Sequence, residues 1–128
     1  MNEAALHLAK AREKLVDAQV LLECERHEAS GCESYLAAYH APLAYLRHQS
    51  QPAPKTHSGV QALFHQTAKD DARIALEFRR FLGYAYNLKA IADYELGSGA
   101  ALSPETAKQA YDTAVRFVAC ISDIIGHT

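Results

Sequence analysis

With 128 residues and a formal net charge of −2, the chain has room for one domain, 1–128, and no bulk basicity to attract a polyanion. Hydrophobic residues make up 49% and charged residues 22%, which excludes a disordered chain and implies a continuous core. No apolar run is long enough for a membrane-spanning helix, and Met1 to Lys14 lacks the apolar centre of a signal peptide. The expectation is a soluble, cytoplasmic protein with no membrane partner. Cys24, Cys32 and Cys120 are odd in number and lack a CxxC spacing, so they are expected in the core rather than in a zinc site or disulfide framework.

The first helix starts at an Asn2 cap and carries the stripe Ala4, Leu8, Ala11, Leu15, Ala18, Leu22. It is expected to end near Arg26 to Glu28, before Ser30-Gly31. A second helix runs to about His48 with Tyr35, Tyr39, Leu43 and Leu46 inward. Pro42 inside it removes one backbone hydrogen bond and predicts a kink. Gln49 to Pro54 reads as a loop. Thr56 or Ser58 caps a short helix bearing Val60, Leu63 and Phe64. Asp70-Asp71 is expected to open a long helix with the stripe Ile74, Phe78, Phe81, Ala85, Leu88, Ala92, ending near Leu96 at Gly97-Ser98-Gly99. Ser103-Pro104-Glu105 places a cap, an N1 proline and a first-turn acid ahead of the last helix. Its stripe is Ala107, Ala110, Ala114, Phe117, Ile121, Ile124, and Gly126 closes it.

These elements predict an all-α fold, an antiparallel four-helix up-and-down bundle with one extra short helix. Short connections make the first two helices antiparallel neighbours, and likewise the last two. Tyr84, Tyr86, Ile91 and Tyr94 lie partly off the long helix's stripe, and a second apolar face of this kind predicts a homodimer. Tyr35, Tyr39, Tyr84, Tyr86 and Tyr94 have rings that can stack bases, but for most of them a packed ring with its hydroxyl at the surface is the expectation.

Motifs for common chemistry are missing. No glutamate has a histidine three residues later, no His-Glu-x-x-His occurs, and the eight-residue spacings His40/His48 and His57/His65 are not ligand spacings. Neither a glycine-rich phosphate loop nor a Gly-x-Ser-x-Gly elbow is present. No metal, no cofactor and no catalytic residue are therefore assigned.

Three segments carry a resemblance. Pro54-Lys55-Thr56-His57-Ser58-Gly59-Val60, followed by Leu63-Phe64, resembles the Pro-Lys-[Ser/Thr]-His-x-Gly signature of small HEPN proteins. Tyr35-Leu36-Ala37-Ala38-Tyr39-His40-Ala41 is similar to that family's Tyr-Tyr-Ala-x-Phe-His-Ala stretch, and Lys89-Ala90-Ile91-Ala92-Asp93-Tyr94 to its Arg-x-x-Ala-Asp-Tyr. They occur in the family's order, and with the helix pattern they cover roughly Leu6 to Ile125.

The resemblance implies a helical bundle, often dimeric, encoded beside a minimal nucleotidyltransferase as its partner, sometimes as a toxin–antitoxin pair. Some such proteins are metal-independent RNases using Arg-x4–6-His. This chain departs from that pattern, with Lys89 where the arginine would sit, Tyr94 where the histidine would sit and Glu33 in place of a helix-two arginine. Lysine lacks the bidentate fork suited to phosphate, and an unperturbed tyrosine is a poor acid–base group at neutral pH. The expectation leans away from an enzyme and toward a binding protein for a minimal nucleotidyltransferase, a nucleotide or RNA. A divergent RNase using His57, Lys89 and Tyr94, or a dimeric scaffold, are the alternatives. The expected binding residues are Lys55, Thr56 and His57 at the start of the short helix, with Lys89, Asp93 and Tyr94 as the opposite wall. Lys55 and His57 are expected to be exposed and removable without loss of stability.

Overall fold

The computed structural model describes residues 2–94 and 102–126, without the side chains of residues 88–94. Among the described residues the chain forms five α-helices and no strand: α1 (Glu3–Glu23), α2 (His27–His48), α3 (His57–Ala68), α4 (Leu76–Tyr94) and α5 (Pro104–Gly126). Three N-termini are closed by the side chains that the sequence nominates. Asn2 Oδ1 accepts from Ala5 N at 2.8 Å, Thr56 Oγ1 from Gly59 N at 3.0 Å and Ser103 Oγ from Thr106 N at 3.1 Å. Each satisfies one of the first-turn N–H groups that no helical carbonyl reaches. The expected end of the long helix near Leu96 and Gly97-Ser98-Gly99 lies outside the described residues.

Two boundaries differ from the sequence expectation. The first helix stops at Glu23, and Ser30-Gly31 lies inside α2 rather than in the break. The chain turns at Glu25, which takes the left-handed region at φ 59°. There Glu25 N donates to Leu22 O at 3.0 Å and Arg26 N to Leu21 O at 2.8 Å, the paired bonds of a Schellman motif. The end of α2 repeats the device, with Ser50 at φ 61° and Gln51 N donating to Leu46 O at 2.8 Å. Neither turn uses glycine; the second falls in the Gln49 to Pro54 loop that composition marks, and the first has no such mark. Ser30 and Gly31 are small for a packing reason instead. The Ser30 hydroxyl donates to Ala18 O of α1 at 2.8 Å. A Cβ on Gly31 would meet Leu102 Cδ1 at 2.6 Å.

The second difference is at Asp71, which does not open α4. Its carboxylate accepts from Arg73 N at 3.0 Å, from the Arg73 guanidinium at 2.9 and 2.8 Å, and from the Tyr45 hydroxyl at 2.8 Å. These bonds hold residues 71–75 in turns, an alternative to helix that short acidic side chains offer, so α4 starts only at Leu76. The Arg73 guanidinium holds the Asp71 carboxyl well below the usual carboxylate range. Burial and the Asp71 bond push the Tyr45 hydroxyl up to about 12.

The core is centred on α2, which packs against all four other helices and runs unbroken through Pro42. Ala37, Ala38, Ala41 and Ala44 are fully buried on it. The α5 stripe Ala107, Ala110, Ala114, Phe117, Ile121 and Ile124 is buried throughout. On α1, Ala4, Leu8, Ala11 and Ala18 are buried, while Leu15 and Leu22 are half-buried. Ile74, Phe78, Phe81 and Ala85 are buried, and Leu88 and Ala92 belong to the part of α4 without described side chains. Phe117 links the helices. Its ring lies parallel to Phe78 at 5.3 Å and 5.7 Å from Phe64, which meets Tyr45 edge-on at 5.6 Å. Cys24, expected in the core, is exposed, because the helix end places it in the turn; Cys32 and Cys120 are half-buried. Among the described residues no helix is long and apolar enough to cross a membrane.

The left-handed Glu25 gives a direct test. A residue with a Cβ pays roughly 1–2 kcal/mol in that region, so Glu25→Gly is expected to stabilise the fold by about 1 kcal/mol in urea denaturation. Glu25→Val is expected to destabilise it. A glycine variant less stable than the parent would contradict the turn geometry.

Candidate functional site

The start of α3 is built by the Pro-Lys-Thr-His-Ser-Gly segment, and its residues divide by role. Thr56 is the cap. Gly59 is small because a Cβ there would lie 2.8 Å from Thr56 Oγ1 and 3.1 Å from Pro54 Cβ. Pro54, Thr56 and Gly59 therefore shape the entry into the helix. Lys55 is exposed on this turn. His57 is the first residue of α3 and is half-buried, not fully exposed as expected.

The His57 ring is held by three tyrosines from two other helices. Its centroid lies 4.6 Å from Tyr39, 5.6 Å from Tyr35 in a stacked arrangement and 5.4 Å from Tyr86. Tyr35 also contacts Tyr39 and Tyr86 at 6.1 and 5.6 Å. Tyr35 and Tyr39 share a face of α2 because they are four residues apart, and α4 contributes Tyr86. Tyr35 is completely buried, and its hydroxyl is hydrogen-bonded to His57 Nδ1. This departs from the expectation of a surface hydroxyl. Burial, with the neighbouring Tyr39 and Tyr86, pushes the Tyr35 hydroxyl far above the ordinary tyrosine value, and burial pushes Tyr39 up as well. Tyr84 and Tyr86 are 49% and 39% exposed, so they are not core side chains.

The expectation that His57 is removable without cost is corrected by these contacts. A His57→Ala change would leave the buried Tyr35 hydroxyl without its partner, a loss of about 1–3 kcal/mol. Lys55 carries no such consequence. Lys89, Asp93 and Tyr94 lie on the C-terminal part of α4, and their side chains are outside the described residues.

Beside Tyr39 lies a second pair that the sequence did not announce. His40 of α2 and His7 of α1 stack at 5.4 Å with their Nδ1 atoms 3.1 Å apart, so one ring donates to the other. The edge of Tyr39 meets His40 at 5.7 Å. Burial, then the charges of His7, Lys10 and Lys14, push His40 down to about 4 against the opposing effect of Glu13. Burial also lowers His7, with Glu3 raising it and Arg47 lowering it. Lys10 and Lys14 are themselves paired with Glu13 and Glu33, each at 3.2 Å. The signal that could have found this pair is positional: His7 is half-buried beside the apolar stripe, next to Leu8.

Among the described residues no group of three or more His, Cys, Asp or Glu is placed to hold a metal ion. A groove of about 440 Å³ on α4 and α5, lined by Leu76, Glu77, Arg80, Phe81, Tyr84 and Thr113, includes none of the expected binding residues.

An all-helical chain whose signature segment caps a short helix against tyrosines of its neighbours is the class of protein defined here. The HEPN domain family model matches residues 4–124, nearly the whole chain. The chain belongs to the HEPN domain family. No curated protein gave a significant match.

The histidine pair makes stability depend on pH. Both rings hold their protons less well in the fold than in the open chain, so the unfolded state binds more protons between about pH 6.5 and pH 4. Stability is therefore full above about pH 6.5 and falls as the pH drops toward 4. Urea midpoints across this range are expected to fall less steeply for His40→Gln than for the parent. Equal slopes would show that the pair is not packed as described.

Proposed function

We propose that this HEPN-family chain is a binding module without efficient cleavage chemistry, the partner of a minimal nucleotidyltransferase. Its own site takes the phosphate of a nucleotide or RNA at the start of α3. The observation that carries this reading is the placement of Lys55 and His57. An exposed ammonium and a ring held on a tyrosine floor flank a helix N-terminus, where the macrodipole and the first-turn N–H groups favour an anion. These donors act locally, so the net charge of −2 is no obstacle. Lys89, Asp93 and Tyr94 form the opposite wall in this reading. A lysine and a tyrosine where an RNase of the family has arginine and histidine support binding over cleavage.

The same proposal covers the assembly and the setting. Residues 1–128 act as one domain, with α1, α2, α4 and α5 running up and down as an antiparallel four-helix bundle and α3 as the extra helix. The tight turn at Cys24 to Arg26 supports this for the first pair. The protein works in the cytoplasm as a homodimer through the outer face of α4, where Leu76 and Tyr84 are 44% and 49% exposed beside the groove. It belongs with its nucleotidyltransferase to a toxin–antitoxin pair.

Isothermal titration with AMP, the smallest nucleotide bearing a free phosphate, tests the site. Lys55→Ala is expected to weaken binding by about fivefold, on the order of 1 kcal/mol. Its thermal stability should stay within about 0.5 kcal/mol of the parent, as for most exposed substitutions. Unchanged affinity in the variant would place the site elsewhere. RNA cleavage by the purified protein, abolished in Lys89→Ala, would replace this reading with the RNase one.

A further inference from the structure

Tyr35 does more than fill the core. Its ring is completely buried, so its hydroxyl proton has no water to bond and needs an acceptor inside the protein. The only partner of that hydroxyl among the described residues is His57 Nδ1. Two arrangements satisfy the contact. Either the phenol donates to a bare Nδ1, or Nδ1–H donates to the phenol oxygen and the phenol proton is orphaned. The second leaves a buried donor unmade, which is the costlier omission, and it uses the poorer acceptor of the two. The first therefore holds. Burial pushes the Tyr35 hydroxyl far above the ordinary tyrosine value, so the phenol keeps the proton for which an acceptor is needed.

The consequence falls on the other ring nitrogen. With Nδ1 occupied as an acceptor, the proton of the neutral ring sits on Nε2. Nε2 has no hydrogen-bond partner among the described residues. Rotation of the ring is opposed by Tyr39 at 4.6 Å and Tyr86 at 5.4 Å. We infer that Tyr35 is a positioning residue that fixes His57 as its Nε2–H tautomer, so the α3 site presents a hydrogen-bond donor and selects ligands that bring an acceptor oxygen to it. This deepens the proposed binding reading and rests on it for the identity of the ligand, while the tautomer is a property of the free protein. Tyr35 does not touch the ligand; it acts through His57.

The test separates the two layers. Long-range ¹H–¹⁵N correlation spectra of the unliganded full chain report which nitrogen of His57 carries the proton. The expected parent spectrum has it on Nε2, and Tyr35→Phe, which removes one oxygen and keeps the ring, is expected to show a mixture of tautomers. A parent spectrum with the proton on Nδ1 overturns the inference without any variant. So does a Tyr35→Phe spectrum identical to the parent's. AMP titration is the second arm, with Tyr35→Phe expected to bind about tenfold more weakly. If the tautomers behave as stated and AMP binds neither protein, the inference about Tyr35 stands and the phosphate reading of the site falls. If the tautomers behave as stated and both proteins bind AMP equally, His57 is not a donor to the ligand and the selective role is overturned.

Discussion

Burial of α2 on nearly every side is the constraint that the other helices obey. A helix packed against four others has room for few large side chains, and this one buries alanine, serine and glycine along much of its length. Gly31 admits Leu102, Ser30 reaches the Ala18 carbonyl of α1, and the alanines at 37, 38, 41 and 44 let the other helices close in. Its two buried tyrosines each have a specific partner. Tyr45 is held by Asp71 and Phe64, and Tyr35 by His57. Removing α2's slimness would separate the helices, and with them the site.

The site depends on that burial directly. His57 is the first residue of a short helix, where a ring would ordinarily sample many orientations. The tyrosines of α2 and α4 remove that freedom, because a buried phenol needs the imidazole as much as the imidazole needs the phenol. The signature Pro-Lys-Thr-His-Ser-Gly thus combines two kinds of residue. Pro54, Thr56 and Gly59 make the turn possible, as the close approach at Gly59 requires. Lys55 and His57 play no part in that turn and are the residues proposed to meet a ligand.

Much of the fold was legible because it follows from periodicity and capping. The α5 stripe from Ala107 to Ile124 is buried at every position expected, and Asn2, Thr56 and Ser103 cap the helices they precede. What the sequence concealed has physical causes. The turn at Glu25 adopts a glycine conformation with another residue, so the usual punctuation is missing and the expected boundary falls at Arg26 to Glu28, before Ser30-Gly31. Asp71 resembles a helix cap but is taken by Arg73 two residues on and by Tyr45 of α2, and no local pattern encodes the second contact. The candidate site divides in the same way. Lys55, Thr56 and His57 stand out by their motif, whereas Tyr35's role, Tyr86's place beside His57 and the His7–His40 contact arise only when α1, α2, α3 and α4 meet.

In the proposed reading the tyrosine-backed start of α3, and not the groove on α4 and α5, receives the ligand. Amide chemical-shift mapping on the full chain with AMP tests it most directly. The perturbed amides are expected to cluster at Lys55 to Gly59 and around Tyr86. Perturbations centred on Leu76, Arg80, Tyr84 and Thr113, or none at saturating AMP, would contradict it.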